Sequence, residues 1–456
     1  MKLERFKQRD PKKIGMIIFT VACVLLIAGV FFYTSFASFK VKQDFNIING
    51  TVGSNGDIYF AFYVNDVLSA TMPQKGEGYA IDAEKTTCNN GASVAFNADD
   101  WTIQIINLVK TGTKCNLYFK TQRDIPSEII AQLDTTGACP TLNDDLVNVT
   151  GPESTNGYVC SAPDDYGTSY YFRGNVENNW VKFAGYYWRI LRVNGDGSIR
   201  MIYAGDANVI DGLSNKTDVL KNGYDDSSTK YTQISSGKYD HTTNFLNGII
   251  GYMYGNSVNA QDYYYVTNTY NSTLKESVDS WYASHISNTS YETHISDTLF
   301  CSDRRYTFGR PITRADATFY DYRWINGPWD SRNTQYPRLT CELQNDRFTV
   351  QNTTIGNGSL TYPIAIITTD EVVLAGGYNT ENRNYYLYTG NDYWTMNASS
   401  SAENAGDGVA GYKIVASSGL VSENSVIFSC GIRPVINIKG ESLQNGNGTA
   451  LDPYRP

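Results

Sequence analysis

Residues 14–39 contain no Asp, Glu, Lys or Arg, and from Ile14 to Tyr33 the string is almost wholly apolar. At about 1.5 Å per residue those first 20 residues reach roughly 30 Å as a helix, the thickness of bilayer hydrocarbon. A transmembrane helix is therefore expected over residues 14–39. A cleaved signal peptide is the competing reading, with Ser35-Phe36-Ala37 as a small-x-small processing site. A signal's apolar region, however, is only about 7–15 residues long, so an uncleaved anchor fits better. Residues 1–13 carry Lys2, Arg5, Lys7, Arg9, Lys12 and Lys13 against Glu4 and Asp10, a local charge of +4. Lys and Arg stay on the cytoplasmic side, so the expectation is a single-pass plasma-membrane protein with everything after residue 40 outside.

Composition agrees with that placement. The formal charge of −9 becomes −13 once the basic tail is set aside. An acidic exterior argues against nucleic acid as a partner. Only 3 His among 456 residues leave little material for imidazole catalysis or a His-rich metal centre. Cys23 falls within the apolar segment, and seven cysteines lie beyond it, none in a Cys-x-x-Cys pair. In an oxidising space, sequence proximity favours Cys88–Cys115, Cys139–Cys160 and Cys301–Cys341, with Cys430 outside the three bridges. The spacings match no zinc-ligand pattern, and neither a metal nor any other cofactor is expected.

Residues 40–121 read as a membrane-proximal, sandwich-like β domain. The segments 57–64, 101–106 and 114–119 have strand character, with Asn55-Gly56 and Asn90-Gly91 as turns. Cys88, Trp101 and Cys115 resemble the Cys…Trp…Cys arrangement of immunoglobulin domains, but Trp101 stands too close to Cys115 for that fold. Residues 122–169, rich in Asp, Pro, Thr and Gly, read as a connector clipped by Cys139–Cys160. The acid pairs Asp144-Asp145 and Asp164-Asp165 lack a calcium-loop ligand string and read as solvated loop charge.

The distal domain is expected over residues 170–456. Tyr186–Val193 and Ser198–Tyr203, joined by Asn194-Gly195-Asp196-Gly197, predict a tight hairpin. Ser272 opens a helix whose apolar face is Leu274, Val278, Trp281, Tyr282 and Ile286, with Lys275, Glu276 and Asp279 toward water. His285 and His294, at and beyond its end, read as ordinary rather than ligating His. Trp188 and Trp281 read as core. A further short helix over residues 369–375 takes Thr369 as N-cap and stops at Gly376-Gly377.

Gly185-Tyr186-Tyr187-Trp188-Arg189 with its hairpin, then Tyr393-Trp394-Thr395-Met396, then Gly431-Ile432-Arg433-Pro434-Val435-Ile436-Asn437 carry a resemblance. This order is similar to that of membrane-anchored surface proteins of Gram-positive gut bacteria. Their distal domain resembles the α+β C-type-lectin-like fold shared with formylglycine-generating enzymes. The resemblance implies that the strand ending at Val193 pairs with the strand 433–438, and that long loops gather on one side. It also implies ligand binding through the region before the last strand, residues 397–428. The Glu-Pro-Asn, Gln-Pro-Asp and Trp-Asn-Asp motifs of calcium-dependent lectins do not occur, and no local motif marks a copper-binding cysteine pair.

The function expected is recognition of a glycan or surface protein without chemistry, through aromatic and Asn-rich loops. Trp324, Trp329, Tyr393, Trp394 and Asn397 are the candidate contacts. Hydrolase signatures such as Gly-x-Ser-x-Gly and His-Glu-x-x-His are missing. A carbohydrate-active hydrolase using two Asp or Glu residues is the alternative, since such acids need no fixed spacing. A structural filament subunit is the third reading. Pilin assembly is disfavoured because Thr20 stands at the fifth position after Gly15, where Glu is needed.

Overall fold

The computed structural model describes residues 58–98, 100–107, 112–140, 157–222, 232–240, 251–255, 267–304, 316–318, 337–377, 381–402, 409–414 and 418–456. The chain divides into two compact units, Met1–Gln122 and Arg123–Pro456. Both are predominantly β among the described residues. No helix there is long and apolar enough to cross a membrane, and residues 14–39 lie outside the described residues.

The first unit holds β1 (Ile58–Val64), β2 (Val67–Ser69), β3 (Tyr79–Ile81), β4 (Thr87–Cys88), β5 (Ser93–Asn97), β6 (Thr102–Ile106) and β7 (Thr113–Thr121). The sheet runs β2-β1-β7-β3, with β4 also on β7, and β5–β6 is a separate hairpin. Alternation decides the two faces. Phe62, Cys115, Leu117 and Phe119 point into a core shared with Phe96, Trp101 and Ile103, while Tyr63 and Tyr118 stack on the other face. The central pair β1–β7 is parallel, unlike the antiparallel sheets of an immunoglobulin sandwich. Asn90 and Gly91, both at positive φ, make the expected turn, and Cys88 and Cys115 are bridged directly across β4 and β7.

The second unit opens with α1 (Ile125–Ile130), then β8 (Gly157–Asp164), β9 (Gly167–Gly174), β10 (Trp180–Phe183), β11 (Tyr186–Val193) and β12 (Ile199–Asp206). Next come α2 (Ala207–Ile210), α3 (Lys216–Asn222), β13 (Ser235–Lys238), β14 (Met253–Tyr254), β15 (Tyr270–Asn271), α4 (Thr273–His285), β16 (Phe300–Cys301), β17 (Asp316–Thr318), β18 (Arg347–Phe348), β19 (Ile364–Ile366) and α5 (Thr369–Leu374). The last strands are β20 (Tyr393–Ala402), β21 (Val409–Ile414), β22 (Val421–Ser425), β23 (Ser429–Ile432) and β24 (Pro434–Ile438). One sheet runs β19-β24-β12-β11-β9-β8 with β10 on β11; another runs β13-β23-β20-β21-β22 with β17 on β20.

Chain connectivity departs from expectation at three places. β8 and the start of β9 belong to the main sheet, so the connector reading fails for residues 157–169. The terminal strand β24 pairs with β12 and β19 rather than with the strand ending at Val193, which instead borders β9, β10 and β12. Residues 397–428, read as a binding loop, contribute most of β20 and all of β21 and β22.

The hairpin β11–β12 forms as expected. Asn194 N–H donates to Ser198 O at 2.8 Å and Gly197 N–H to Asn194 O at 2.9 Å, with Gly197 at φ 83°. Gly195 is required for a different reason: Asp164 Oδ2 accepts its N–H at 2.9 Å, and a Cβ there would lie 2.6 Å from Asp164 Oδ1. Asp164 and Asp165 are thus not solvated loop charge. Asp164 also accepts from Ser169 Oγ and Tyr166 N–H, while Asp165 binds Arg347 at 2.5 Å and accepts Cys341 N–H at 2.8 Å. Asp144 and Asp145 lie outside the described residues.

Ser272 caps α4, its hydroxyl accepting Lys275 N–H, and Leu274, Val278, Tyr282 and Ile286 are buried against the main sheet's residues. Lys275, expected in water, is fully buried and paired with Asp279 one turn on at 2.5 Å. The cap of α5 is Thr368 rather than Thr369, because Glu371 completes a reciprocal capping box with it.

The bridges Cys139–Cys160 and Cys301–Cys341 are both present, and the Cys430 thiol is buried with Asn424 Nδ2 at 3.5 Å from its Sγ. Cys301 and Cys341 are 40 residues apart, so by chain entropy their bridge stabilises the second unit by about 4 kcal/mol. A Cys301→Ala/Cys341→Ala variant is expected to lose about that much in urea unfolding. An unchanged midpoint would show that the bridge constrains nothing.

Candidate functional site: an aromatic and histidine surface beside helix α4

Of the residues singled out from sequence, the three that lie among the described residues are interior. Tyr393 and Trp394 are fully buried, the Tyr393 hydroxyl donating to Leu387 O and the Trp394 indole to Gly237 O. Asn397 is buried too, its Oδ1 accepting Thr369 N–H at 2.8 Å. These three are core residues because β20 is interior to its sheet. Trp324 and Trp329 lie outside the described residues.

Aromatic rings meet solvent elsewhere. The turn between β10 and β11 is two residues long, with Ala184 at φ 53° and Gly185 at φ 81°. It sets Phe183 directly opposite Tyr186. Two residues on, Trp188 shares the Tyr186 face. α4 crosses this face and lays Trp281 on it, with ring centroids 5.1 Å from Tyr186, 5.7 Å from Tyr203 and 6.1 Å from Trp188. His285, one turn later, stacks on Trp281 at 5.1 Å and 21°, and meets Tyr186 edge-on at 5.9 Å. After the helix, Asn288 at φ 60° turns the chain into a short 3-10 segment, Ser290–His294. That segment leans Tyr291 and His294 edge-on against Phe183, at 5.2 and 6.0 Å.

The result is two groups of rings, Tyr186, Trp188, Tyr203, Trp281 and His285 in one and Phe183, Tyr291 and His294 in the other, joined through the cross-strand pair Phe183–Tyr186. Trp188, Tyr203 and Phe183 are buried; Tyr186, Trp281 and His294 are half-buried; His285 and Tyr291 are exposed. His285 is the last helical residue, and its Nδ1 lies 2.7 Å from Trp281 O, one turn back. Burial raises the Tyr186 phenol pKa, with Asp206 adding to the effect. Burial and Lys439 lower the His294 pKa, against the pull of Glu441. Ala184, a non-glycine residue in left-handed backbone, makes the two-residue hairpin turn together with Gly185.

Sequence reasoning assigned Trp281 to the core and left both histidines without a role. The available signal was the Trp281–His285 spacing at the boundary of the apolar stripe, which puts two flat rings on one helix edge.

A second cluster is interior. Glu371 binds Arg200 at 2.5 Å and Arg192 at 3.0 Å, all three buried. Burial pushes the Glu371 carboxyl up, but Arg200, Arg192 and the Thr368 N–H outweigh it and hold it below the usual glutamate value. Beside them lies a cavity of about 10 Å3, lined by Tyr171, Leu191, Leu339 and Tyr386 among others. That is room for about one water molecule, too little for a substrate. Asp346, Asp165 and Asp279 are likewise each held by a cation, Arg304, Arg347 and Lys275. Among the described residues, no group of three or more His, Cys, Asp or Glu is arranged to hold a metal.

Compared with protein-family profiles, curated proteins and solved structures, the chain shows no significant match in any of the three.

Glu371→Gln would leave two buried guanidinium groups short of a counter-charge, at a cost of about 3–5 kcal/mol. The folded carboxyl binds its proton less tightly than the unfolded chain's does. Its contribution is therefore complete above the ordinary glutamate value and is lost as pH falls through the lower, folded one. Chemical denaturation at pH 7 and across pH 2–5 checks both points: the variant should be weaker at pH 7 and should lose less on acidification.

Proposed function

We propose that the protein is a cell-surface recognition protein. In this reading residues 14–39 anchor it, the first β unit stands nearest the membrane, and the second unit is a C-type-lectin-like head that binds its ligand without chemistry. Three disulfides support an oxidising, extracellular setting. The lectin-like assignment rests on the sequence resemblance alone, since β24 pairs with β12 and β19 rather than with the strand ending at Val193.

The observation that carries the reading is the ring surface of Tyr186, Trp281, His285, Tyr291 and His294. Half-exposed aromatic rings locked by a buried aromatic floor lose little conformational entropy on binding, and they offer apolar faces with polar edges. This surface takes the place of Tyr393, Trp394 and Asn397, which are buried. Hydrolysis by two facing acids draws no support from Glu371, Asp346, Asp165 or Asp279, whose carboxylates neutralise buried cations.

The test is an array of glycans and extracellular proteins probed with the full chain in lipid nanodiscs. Hits are expected to survive chelation of calcium and to disappear in a Tyr186→Ala/Tyr291→Ala variant of unchanged melting temperature. Hits that this variant retains would sink the surface as the binding site, and hits lost to chelator would sink calcium-free recognition.

A further inference from the structure

We propose that the small cavity beside α5 is a binding site for one halide ion, chloride in ordinary salt, held between the Tyr171 hydroxyl and the Arg192 guanidinium. The site shares no residue with the ring surface and does not depend on that reading. Strand register assembles it. Tyr171 of β9 stands opposite Arg192 of β11, and Arg192 stands opposite Arg200 of β12, so the three residues form one row on one face of the sheet. Glu371 and Leu374 of α5, with Leu339 and Tyr386, complete the walls of a cavity of about 10 Å3.

Guanidinium groups placed opposite one another repel, and a single carboxylate does not balance two of them. Glu371, ionised at neutral pH because its folded value lies below the usual one, is 2.5 Å from Arg200 and 3.0 Å from Arg192. Burial lowers the Arg200 pKa to about 10, with Arg192 adding to the effect and Glu371 opposing it, so Arg200 remains a cation. One positive charge is left over. Other cations bear on the lining: Arg173 acts on Tyr171, and Arg189 and Arg433 act on Tyr386. Three further acids reach this region. Asp165 is paired with Arg347 at 2.5 Å, Asp164 accepts from Ser169 and from the N–H groups of Tyr166 and Gly195, and Glu177 acts on Arg189. Arg173, Arg189, Arg192, Arg200, Arg347 and Arg433 still outnumber these acids and Glu371.

The donors for an anion are in place. Tyr171 is 3% exposed, and its hydroxyl has no hydrogen-bond partner among the described residues. Burial pushes that phenol up to about 12, against the pull of Arg173, so it keeps its proton. An orphaned buried hydroxyl is costly, and donation to an anion removes the cost. Arg192 gives its Nε–H to Asn194 Oδ1 at 2.6 Å and turns one Nη to Glu371, which engages two of the five N–H donors of a guanidinium. Volume sets the ligand class. Space for about one water molecule excludes carboxylates, phosphate and sulfate, whereas a halide is a single atom not much larger than water. Water would satisfy the Tyr171 hydroxyl but would bring no charge.

Crystals of the full chain soaked in sodium bromide are expected to show an anomalous bromine peak between the Tyr171 hydroxyl and Arg192. In nanodiscs, replacing gluconate by chloride at equal ionic strength should lower the unfolding equilibrium constant about tenfold when the salt is about ten times the dissociation constant. Tyr171→Phe, which keeps the ring and removes the donor, should shrink that ratio to about twofold, through loss of one hydrogen bond. Glu371→Gln should widen it, since the anion would then meet two guanidinium groups with no carboxylate between them. A cavity that holds only water, with equal unfolding in the two salts, overturns the site. So does a bromine peak without any chloride dependence, which marks an adventitious ion only. A chloride effect that both variants leave unchanged places the ion elsewhere and overturns it too.

Discussion

A guanidinium group inside a β core has to be neutralised or hydrogen-bonded where it lies, and the second unit is organised around that requirement. Among the described residues, Arg173, Arg189, Arg192, Arg200, Arg304 and Arg433 are buried. Arg433 stands between β23 and β24, where the chain passes from one sheet to the other. Its donors reach Tyr203 O and Leu387 O, and its plane covers the Tyr393 ring at 4.7 Å. Arg192 and Arg200 share Glu371, the same residue that completes the capping box of α5. Arg173 donates to Val373 O and Leu374 O at the other end of that helix. One short helix is thereby held at both ends by the sheet it covers.

Arg189, like Arg433, has neutral oxygens and an aromatic ring among its partners. It lies over the Trp180 ring at 4.1 Å, donates to Asn179 Oδ1 and Val176 O, and burial lowers its pKa to about 9. On the opposite face of the same strand, Tyr186 and Trp188 underlie the ring surface. Arg189 packs on one side of β11 and the rings on the other, so the strand is held from both faces.

Legibility in the sequence followed locality. The β11–β12 hairpin was readable because Asn194 to Gly197 fix a turn by backbone chemistry alone, and Ser272 announced α4 because an N-cap acts within three residues. The cysteine pairs could be inferred because neighbours in sequence were also neighbours in space. What misled were residues whose partners are remote. Asp165 meets Arg347, and Asn397 meets Thr369. Lys275 looked like a solvent residue on a helical wheel, because the wheel does not reveal which sheet will cover it. Tyr393 and Trp394 could be taken as candidate contacts from sequence because their strand's interior position depends on β21, β23 and Arg433.

The sequence by itself determined a predominantly β chain with disulfide-braced segments, its tight turns and the start of its main helix. Each of these is set by interactions within a few residues or by composition. Only the tertiary structure decided which aromatics are covered. Burial of a ring depends on which strands and helices pack over it, and that is a property of long-range pairing. Trp281 and His285 therefore emerge at the surface while Trp394, richer in local promise, is enclosed.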